Sequence, residues 1–169
     1  MDKELIKGLI AEYQQFVKSV SFVKRAVTLS DNFNYVFVGL RRVGKSYLMY
    51  QQIHHLIETG ISPEEILFFN FEDERIAGMD TEHLDMIKRC YEEMYSHRPI
   101  FFLDEIQIVP HWEQFVRRLA DQKYRVYVTG SNAKMLSKDI ATTLGGRFMI
   151  QYVYPFSFRE YLSSNGVQL

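Results

Sequence analysis

Five short apolar runs alternate with stretches of helical periodicity, and this alternation limits the folds open to the chain more than any other feature. The runs are rich in β-branched and aromatic residues, which favour strands, and they occupy positions 35–38, 66–69, 100–103, 126–128 and 148–153. Strands that are apolar on both faces and separated by helices form parallel sheets that helices cover on both sides. The sequence therefore predicts a three-layer α/β fold around a parallel five-stranded sheet.

The helical stretches carry apolar residues three and four positions apart. The first is an N-terminal amphipathic helix with an apolar side formed by Leu5, Ile6, Leu9, Ile10, Tyr13, Phe16 and Val17. Further helices are predicted after the first strand, ending at Gly60, and at about 81–95 and 112–119. The aromatic-rich segment 155–162 begins a last helix. We interpret residues 1–169 as a single domain and expect a C-terminal domain to follow it.

Composition restricts the class of protein. The chain has 169 residues, of which 47% are hydrophobic, enough for one domain with a core. Its net charge of −1 gives no overall attraction to nucleic acid or to an anionic membrane. No apolar stretch approaches the roughly 20 residues that span a bilayer, and the charged N-terminus lacks the apolar run of a signal peptide. We therefore expect a cytoplasmic protein with no membrane partner and no evident nucleic-acid partner.

Between the first strand and the following helix lies the pattern Gly39-x4-Gly44-Lys45-Ser46, which has the Walker A spacing. Glycines let the backbone curl so that successive N–H groups face phosphate oxygens, and the helix adds its N-terminal amides and positive dipole end. Lys45 would place its charge on the β- and γ-phosphates, as a catalytic and binding residue, and Ser46 would present its hydroxyl to Mg2+. The strand before the motif and the helix after it are the context that a P-loop requires.

Other residues of the loop complete the candidate nucleotide site. Arg41 and Arg42 either contact phosphate or face solvent, and the sequence leaves both alternatives open. The full set that we expect to bind the nucleotide is Gly39, Arg41, Arg42, Val43, Gly44, Lys45, Ser46 and Tyr47.

Two carboxylates end the third strand. Asp104 and Glu105 directly follow an apolar run, which is the Walker B arrangement. Because Mg2+ keeps several waters and takes few protein ligands, we expect Asp104 to hold the ion through water, together with Ser46. Glu105 lies at the exit of the strand, where it can orient and deprotonate an attacking water. We therefore predict that Glu105 is the catalytic base.

Small polar residues end the fourth strand. Ligands gather at the carboxyl ends of parallel strands, so a hydroxyl or amide at this point would sense the γ-phosphate or the attacking water. Ser131 is the first choice for this role and Asn132 the second. The alternative is that these residues cap the next helix, as Ser and Asn often do, and one residue can do both.

Seven segments, in their order along the chain, resemble the prokaryotic AAA-type ATPases related to the archaeal ATPase group. They are 39–46, 69–73, 102–107, 112–113, 129–132, 146–147 and 155–161. The Asp-Glu-Ile-Gln, Thr-Gly-Ser and Pro-x-Ser-Phe-x-Glu-Tyr sequences are more particular to this group than the two nucleotide motifs. The resemblance covers nearly the whole chain from about Arg25 onward.

This resemblance implies ATP as the nucleotide, Mg2+ as the cofactor and a P-loop NTPase sheet in the order 5-1-4-3-2. It also implies a region C-terminal to the ATPase core, often with a domain of unknown function. It suggests a catalytic role for Arg147, which follows a Gly-Gly turn: an arginine here would act as a finger toward a γ-phosphate in its own site or a neighbour's. The alternative for Arg147 is a structural salt bridge.

Hydrolysis of ATP is the function that these residues favour. A nucleotide-gated interaction module, which binds ATP but turns it over slowly, is the main alternative. A P-loop kinase is weaker, because no lid or acceptor pocket is evident in the sequence. A GTPase is disfavoured, because the chain has no Asn-Lys-x-Asp or Thr-Lys-x-Asp segment. A homo-oligomer or a protein partner fits either leading hypothesis, and the sequence identifies no partner.

Overall fold

The computed structural model describes residues 2–131, 135 and 139–165 and contains a five-stranded parallel sheet. The strands are β1 (Asn34–Val38), β2 (Ile66–Asn70), β3 (Ile100–Asp104), β4 (Val126–Gly130) and β5 (Phe148–Tyr152). Their order is β2-β3-β4-β1-β5, and each neighbouring pair is parallel. This is the expected 5-1-4-3-2 order counted from the opposite edge, so the fold prediction is confirmed.

The helices lie between these strands and at both ends of the described chain. They are α1 (Lys3–Ser19), α2 (Lys45–Glu58), α3 (Thr81–Met94), α4 (Trp112–Asp121), α5 (Ile140–Thr143) and α6 (Phe158–Ser164). Short 3-10 turns at Pro63–Glu65, Glu74–Ile76 and Ile106–Ile108 were not expected from the sequence. Within the described residues, no helix combines the length and the apolar character that crossing a membrane requires.

Contacts of neighbouring strand residues show on which face of the sheet each helix lies. Phe102 stacks on Tyr127 with ring centroids 4.5 Å apart, and the Tyr127 hydroxyl lies 3.4 Å from Nε2 of Gln52 on α2. Phe101 packs edge-on against Phe115 of α4. Because successive side chains of a strand point to opposite faces, α2 lies on one face, and α4 lies on the other with α3 beside it. The sheet is therefore the middle one of three layers, as predicted.

The N-terminal helix α1 covers the free edge of β2. Its Gln14 side chain donates a hydrogen bond to the backbone oxygen of Ile66 (3.0 Å), and Tyr13 packs edge-on against Phe68 and Phe69. A strand at the edge of a sheet exposes unpaired N–H and C=O groups, and a covering helix prevents their pairing with another chain. The amphipathic helix thus has a specific structural role at this edge.

At the opposite edge of the sheet, β5 is less buried than the other strands. Its Met149 and Tyr152 side chains are about half exposed, whereas β3 is buried along its whole length. Both β2 and β5 are edge strands, but α1 covers the edge of β2. The helices therefore cover the sheet on both faces, while β5 stays partly exposed at its edge.

A charged cluster after β2 holds α1 in place. Arg75 pairs with Glu12 of α1 (2.8 Å) and with Asp73 (2.7 Å), and the Tyr13 hydroxyl donates to Asp73 (2.6 Å). The hydrogen bonds from Arg75 hold the pKa of the Asp73 carboxyl well below its usual value. A carboxyl whose pKa is lowered by folding stabilises the fold above about pH 3.9, the value for an unfolded Asp, and loses this effect as the pH falls further.

We expect Asp73→Asn to lower the free energy of unfolding by about 1–2 kcal/mol at pH 7, because the charged hydrogen bonds to Arg75 are lost. Urea denaturation at pH 7 and pH 3 measures the effect, and the difference from the unaltered protein should shrink at the lower pH. Glu74→Gln, in the same turn and exposed, is the matched control and should change stability by less than about 0.5 kcal/mol. A deficit of equal size at both pH values would contradict the assignment.

Candidate functional site

The carboxyl ends of β1, β3 and β4 lie side by side at one end of the sheet, and most of the candidate residues lie there. β1 runs into the loop 39–44, α2 begins at the end of this loop, and β3 ends at Asp104. Lys45 Nζ lies 3.3 Å from Glu105 Oε1, and Ser46 Oγ lies 3.0 Å from Asp104 Oδ1. Ser131 Oγ lies 2.9 Å from Glu105 Oε2. The structure therefore brings these five side chains together.

The loop requires glycine at two positions. Gly39 is buried, and a Cβ atom there would lie 2.4 Å from the backbone oxygen of Val153 and 2.9 Å from Cγ2 of Val43. Gly44 has a φ of 93°, in the left-handed region that glycine adopts without strain. These two residues let the chain turn sharply from β1 into α2.

The start of α2 is suited to an anion. Gly44 precedes the helix and has no side chain to accept hydrogen bonds from its first amides, and the first turn carries no carboxylate. The first four N–H groups of a helix have no intrahelical partner, and the helix dipole places partial positive charge there. The Lys45 side chain is only 3% exposed, and its ammonium donates to the backbone oxygen of Leu40 (3.1 Å). This buried cation adds to the positive end of the helix.

Two cavities adjoin at the loop. One has a volume of about 630 Å3 and is lined by Arg41, Arg42, Gly44, Lys45, Ser46, Tyr47, Glu72 and Glu105. The other has a volume of about 610 Å3, and its lining includes the apolar residues Phe22, Val23, Val43, Pro155 and Phe156. Both volumes lie in the range of roughly 300–1,000 Å3 that small-molecule sites occupy. A cationic cavity beside an apolar one suits a ligand with phosphates at one end and a flat ring at the other.

Asp104 is held from two sides by hydroxyl groups. Its Oδ1 accepts hydrogen bonds from Ser46 Oγ of α2 (3.0 Å) and from Thr129 Oγ1 of β4 (2.6 Å). Burial raises the pKa of Asp104 to about 6, although both hydrogen bonds favour the charged form. Carboxylate oxygen is a ligand that Mg2+ prefers, and a nearby cation would stabilise this buried charge. Ser46 and Asp104 therefore fit a magnesium ion.

Glu105 has partners on both of its carboxylate oxygens. Its backbone leaves β3 with a φ of 53°, which is uncommon for a residue with a side chain, and its amide donates to Thr129 Oγ1 (2.8 Å). Oε2 accepts from Gln107 Nε2 (2.6 Å) and Ser131 Oγ (2.9 Å), while Oε1 faces the ammonium of Lys45 (3.3 Å). The carboxylate is thus oriented by three side chains from three different parts of the chain.

The remaining candidates of the loop lie at the rim of the cationic cavity. Arg41 pairs with Glu72 (2.7 Å) and is largely exposed. Arg42 is exposed with a φ of 63°, and Tyr47 is half exposed. Arg41 and Arg42 therefore face solvent in the structure, which is one of the two alternatives that the sequence leaves open. Asn132, the second choice for a sensor, lies outside the described residues.

Arg147 lies near the amino ends of the strands, at the end of the sheet opposite to the loop 39–44. It precedes β5, its backbone oxygen accepts a hydrogen bond from Asn34 at the start of β1 (3.2 Å), and its Nε pairs with Asp121 (2.6 Å). The five residues of β1 span about 17 Å at roughly 3.3 Å each, and this length separates Arg147 from the loop. Arg147 therefore does not reach the loop 39–44 of its own chain and forms the alternative salt bridge, whereas a role in a neighbour's site stays a prediction.

Thr129 and Gln107 contact the two carboxylates of the site, although neither has a role predicted from the sequence. Thr129 is fully buried, and the parallel register of β3 and β4 brings it beside Asp104. A threonine at the end of the strand that neighbours the acidic strand is the signal that would have found it. For Gln107 the signal is its place two residues after Glu105, because a 3-10 turn at Ile106–Ile108 returns its side chain to that carboxylate.

A sequence profile of the AAA domain family matches residues 31–162. The matched range contains the loop 39–44, the two carboxylates after β3 and the polar end of β4. It covers more than three quarters of the chain.

Two relatives extend well beyond the matched chain. An uncharacterized protein of Methanocaldococcus jannaschii, MJ1544, is 33% identical over 162 residues, which are 95% of this chain and 35% of that protein. An uncharacterized protein of Haemophilus influenzae is 36% identical over 151 residues, which are 87% of this chain and 38% of that protein. The chain thus spans less than two fifths of the length of these curated relatives.

Two solved structures share the fold. Hsp104 of S. cerevisiae in complex with ADP has a TM-score of 0.58 at 15% identity, over 98% of this chain and 26% of that one. AMPPCP-bound DnaA of Aquifex aeolicus has a TM-score of 0.53 at 14% identity, over 98% of this chain and 51% of that one. At such low identity, the similarity concerns the fold alone.

We expect Thr129→Val to lower the free energy of unfolding by about 1–3 kcal/mol, because it removes the acceptor of the buried Glu105 amide and leaves the Asp104 carboxylate with Ser46 as its one hydroxyl donor. Urea denaturation measures the loss, and hydrogen exchange at the Glu105 amide should become faster. Thr129→Ser keeps the hydroxyl and is the matched control, in which this amide should stay protected. Slow exchange at Glu105 in both variants would show that the hydroxyl does not hold the backbone.

Proposed function

Because the chain belongs to the AAA domain family, we propose that it binds ATP with Mg2+ and hydrolyses the bond to the γ-phosphate. The observation that carries the proposal is the convergence of Lys45, Ser46, Asp104 and Glu105 at the loop 39–44. Phosphoryl transfer to water needs cationic groups for the phosphates, oxygen ligands for the metal and a group that orients the water. The DnaA and Hsp104 structures hold AMPPCP and ADP, which supports an adenine nucleotide as the ligand.

The phosphates would lie in the cationic cavity against the first turn of α2. Backbone N–H groups of the loop and the Lys45 ammonium are the donors that a triphosphate requires there. Arg41 is engaged by Glu72 (2.7 Å), so its contact with a phosphate would require that surface ion pair to open. An exposed pair of this kind contributes little stability, about 0–1 kcal/mol, and the opening would therefore cost little.

Ser46 and Asp104 would hold Mg2+, which offsets negative charge on the phosphates when it is bound. Thr129 donates to the same Asp104 oxygen as Ser46, and this bond would keep the carboxylate oriented when the Ser46 hydroxyl turns to the metal. Mg2+ completes its coordination with waters and phosphate oxygens. Few protein ligands are therefore sufficient.

Glu105 would accept the proton of the attacking water. In the structure its Oε1 faces Lys45, while Gln107 and Ser131 donate to Oε2. Attraction of the Lys45 ammonium to the phosphates would leave Oε1 available for the water. The two donors to Oε2 would keep the carboxylate in position, so Ser131 would act through Glu105.

The nucleobase would occupy the apolar cavity beside the loop. Phe22 and Val23, from the segment before β1, and Pro155 and Phe156, after β5, contribute to its walls. Flat aromatic bases gain free energy by stacking on such side chains. The shared lining at Arg42, Gly44 and Tyr47 joins this cavity to the cationic one.

A nucleotide-gated interaction module is the second candidate, and the contacts of Glu105 favour it. Because Glu105 already faces the Lys45 ammonium and two side-chain donors, an attacking water would reach its carboxylate most readily after the Lys45 side chain moves. If that movement requires a further protein surface, the chain alone would bind ATP and turn it over slowly.

We also propose that the ATPase core works with a C-terminal domain or a protein partner, which includes the possibility of a homo-oligomer. The curated relatives are more than twice as long as the matched region. Tyr154, Phe158 and Tyr161 are more than half exposed, and exposed apolar side chains are common where proteins associate.

We expect Glu105→Gln to lower the rate of ATP hydrolysis by about 100-fold or more, since a general base contributes 10²–10⁴-fold. The dissociation constant for Mg-ATP should stay within about threefold, because Glu105 would contact water rather than phosphate. Phosphate release and equilibrium binding are measured on the same samples. Glu72→Gln, which changes another carboxylate of the same cavity, is the control.

Hydrolysis that persists unchanged in Glu105→Gln would refute the base assignment. Tight binding of Mg-ATP by the unaltered protein without measurable turnover would favour the interaction module. Absence of both binding and turnover would refute the proposed function.

We expect Mg2+ to tighten ATP binding by the unaltered protein, and Asp104→Asn to abolish this dependence, because the amide removes the charge that faces the ion. Titrations with ATP in excess Mg2+ and in EDTA measure the two constants. Asp121→Asn, at the opposite end of the sheet, should retain the full dependence. The metal assignment fails if Mg2+ still tightens binding to Asp104→Asn.

A further inference from the structure

Arg25 is a buried cation outside the motifs that the proposed function uses. It lies in the connection between α1 and β1, and its side chain is 8% exposed. Its backbone is held by Gln51 of α2, whose amide group accepts from the Arg25 N–H (2.7 Å) and donates to the Arg25 oxygen (3.0 Å). The backbone of this arginine is therefore fixed to the helix that begins at the phosphate loop.

The guanidinium of Arg25 joins the phosphate loop to the segment after β5. Nη1 donates to the backbone oxygen of Val43 (3.2 Å), and Nη2 donates to the backbone oxygen of Tyr154 (2.8 Å). Nε donates to the carboxylate of Glu160 in α6 (2.9 Å). Because a guanidinium is planar and its donors have a fixed geometry, these acceptors are fixed relative to one another.

Glu160 is held as firmly as Arg25. The same carboxylate accepts from the Ser157 amide (2.7 Å), and the Ser157 hydroxyl accepts from the Glu160 amide (3.3 Å). This reciprocal capping box starts a helix. Hydrogen bonds from Arg25 lower the pKa of Glu160 to about 2, so the pair is charged at neutral pH. The Pro-x-Ser-Phe-x-Glu-Tyr sequence thus places one carboxylate against one buried arginine.

A second contact links the same two regions. The Val153 amide donates to the backbone oxygen of Val38 (2.8 Å). The backbone oxygen of Val153 lies so close to Gly39 that a Cβ atom on Gly39 would be 2.4 Å from it. Phe156 lies under the guanidinium of Arg25, with the ring centroid 5.4 Å away, and lines the apolar cavity. Any displacement of α6 would therefore change the contacts of the loop 39–44 and of the wall of the apolar cavity.

We propose that Arg25 and Glu160 are positioning residues that couple α6 and the segment before it to the nucleotide, so that nucleotide binding and docking of α6 strengthen each other. The inference rests on the proposed function, because it concerns the same nucleotide site. Coupling is reciprocal: if docked α6 favours the nucleotide, the nucleotide must favour docked α6 by the same factor. α6 is then the element through which a sequence that follows it would sense whether the site is occupied.

Hydrogen exchange and nucleotide binding test the coupling on the same protein. In the unaltered protein, Mg-ATP should slow amide exchange in residues 154–162 as well as in the loop 39–46. In Glu160→Gln, which keeps the shape of the side chain and an acceptor for Ser157, the slowing in 154–162 should disappear while that in the loop remains. The dissociation constant for Mg-ATP should rise about tenfold, within the usual range of coupling between sites.

Two further variants separate coupling from a purely structural role. Arg25→Lys keeps the charge but lacks the planar fork, and it should weaken Mg-ATP binding in the same direction. Arg159→Gln changes a charge on the exposed side of the same helix and should leave both readouts unchanged. Exchange in the core strands shows whether each variant is folded.

The outcomes distinguish the inference from the function on which it rests. If the unaltered protein binds Mg-ATP and exchange in 154–162 does not respond, the coupling is refuted and the proposed function stands. Unchanged Mg-ATP affinity in a folded Glu160→Gln has the same consequence. If the unaltered protein binds no Mg-ATP, the proposed function fails, and the inference fails with it.

Discussion

Two hydroxyl groups from different elements hold the buried carboxylate of Asp104, one from Ser46 at the start of α2 and one from Thr129 at the end of β4. A carboxylate without such partners would be costly to bury, so α2, β3 and β4 are tied to a single arrangement around it. The same Thr129 oxygen accepts from the Glu105 amide and thereby fixes where the next carboxylate leaves the strand. The geometry of the candidate site follows from this one buried group.

The candidate site contains a carboxyl with a raised pKa and a buried cation. Burial raises the pKa of Asp104 to about 6, which means that its charge is destabilised by its surroundings. Lys45 is equally buried, and its ammonium is shared between Glu105 and a backbone oxygen. Perturbed and buried charges of this kind are frequent at functional sites.

The fold and the centre of the site were accessible from sequence for separate reasons. The spacing of apolar residues and the residue types identify strands and helices, because burial of one face of an element requires that spacing within a short stretch of chain. The glycine spacing and the acidic strand end identify Lys45, Ser46, Asp104 and Glu105, because phosphate and metal chemistry restricts residue types at short range. The roles of Thr129 and Gln107 were not predicted, because they depend on the register of two strands and on a 3-10 turn. The alternatives for Arg147 stayed open for the same reason, since its position relative to the loop depends on how β5 pairs with β1.

By itself, the sequence determined the parallel α/β architecture, the glycine-containing loop 39–44 and the identity of the two carboxylates. Each of these features depends on residues that are close together in the chain. Only the tertiary structure decided which distant residues meet. Arg25 and Glu160 are 135 positions apart, and their contact exists because β5 pairs with β1 and returns the chain to the loop. Long-range pairing of this kind leaves no periodic pattern in the chain, because it depends on how complete elements pack against one another.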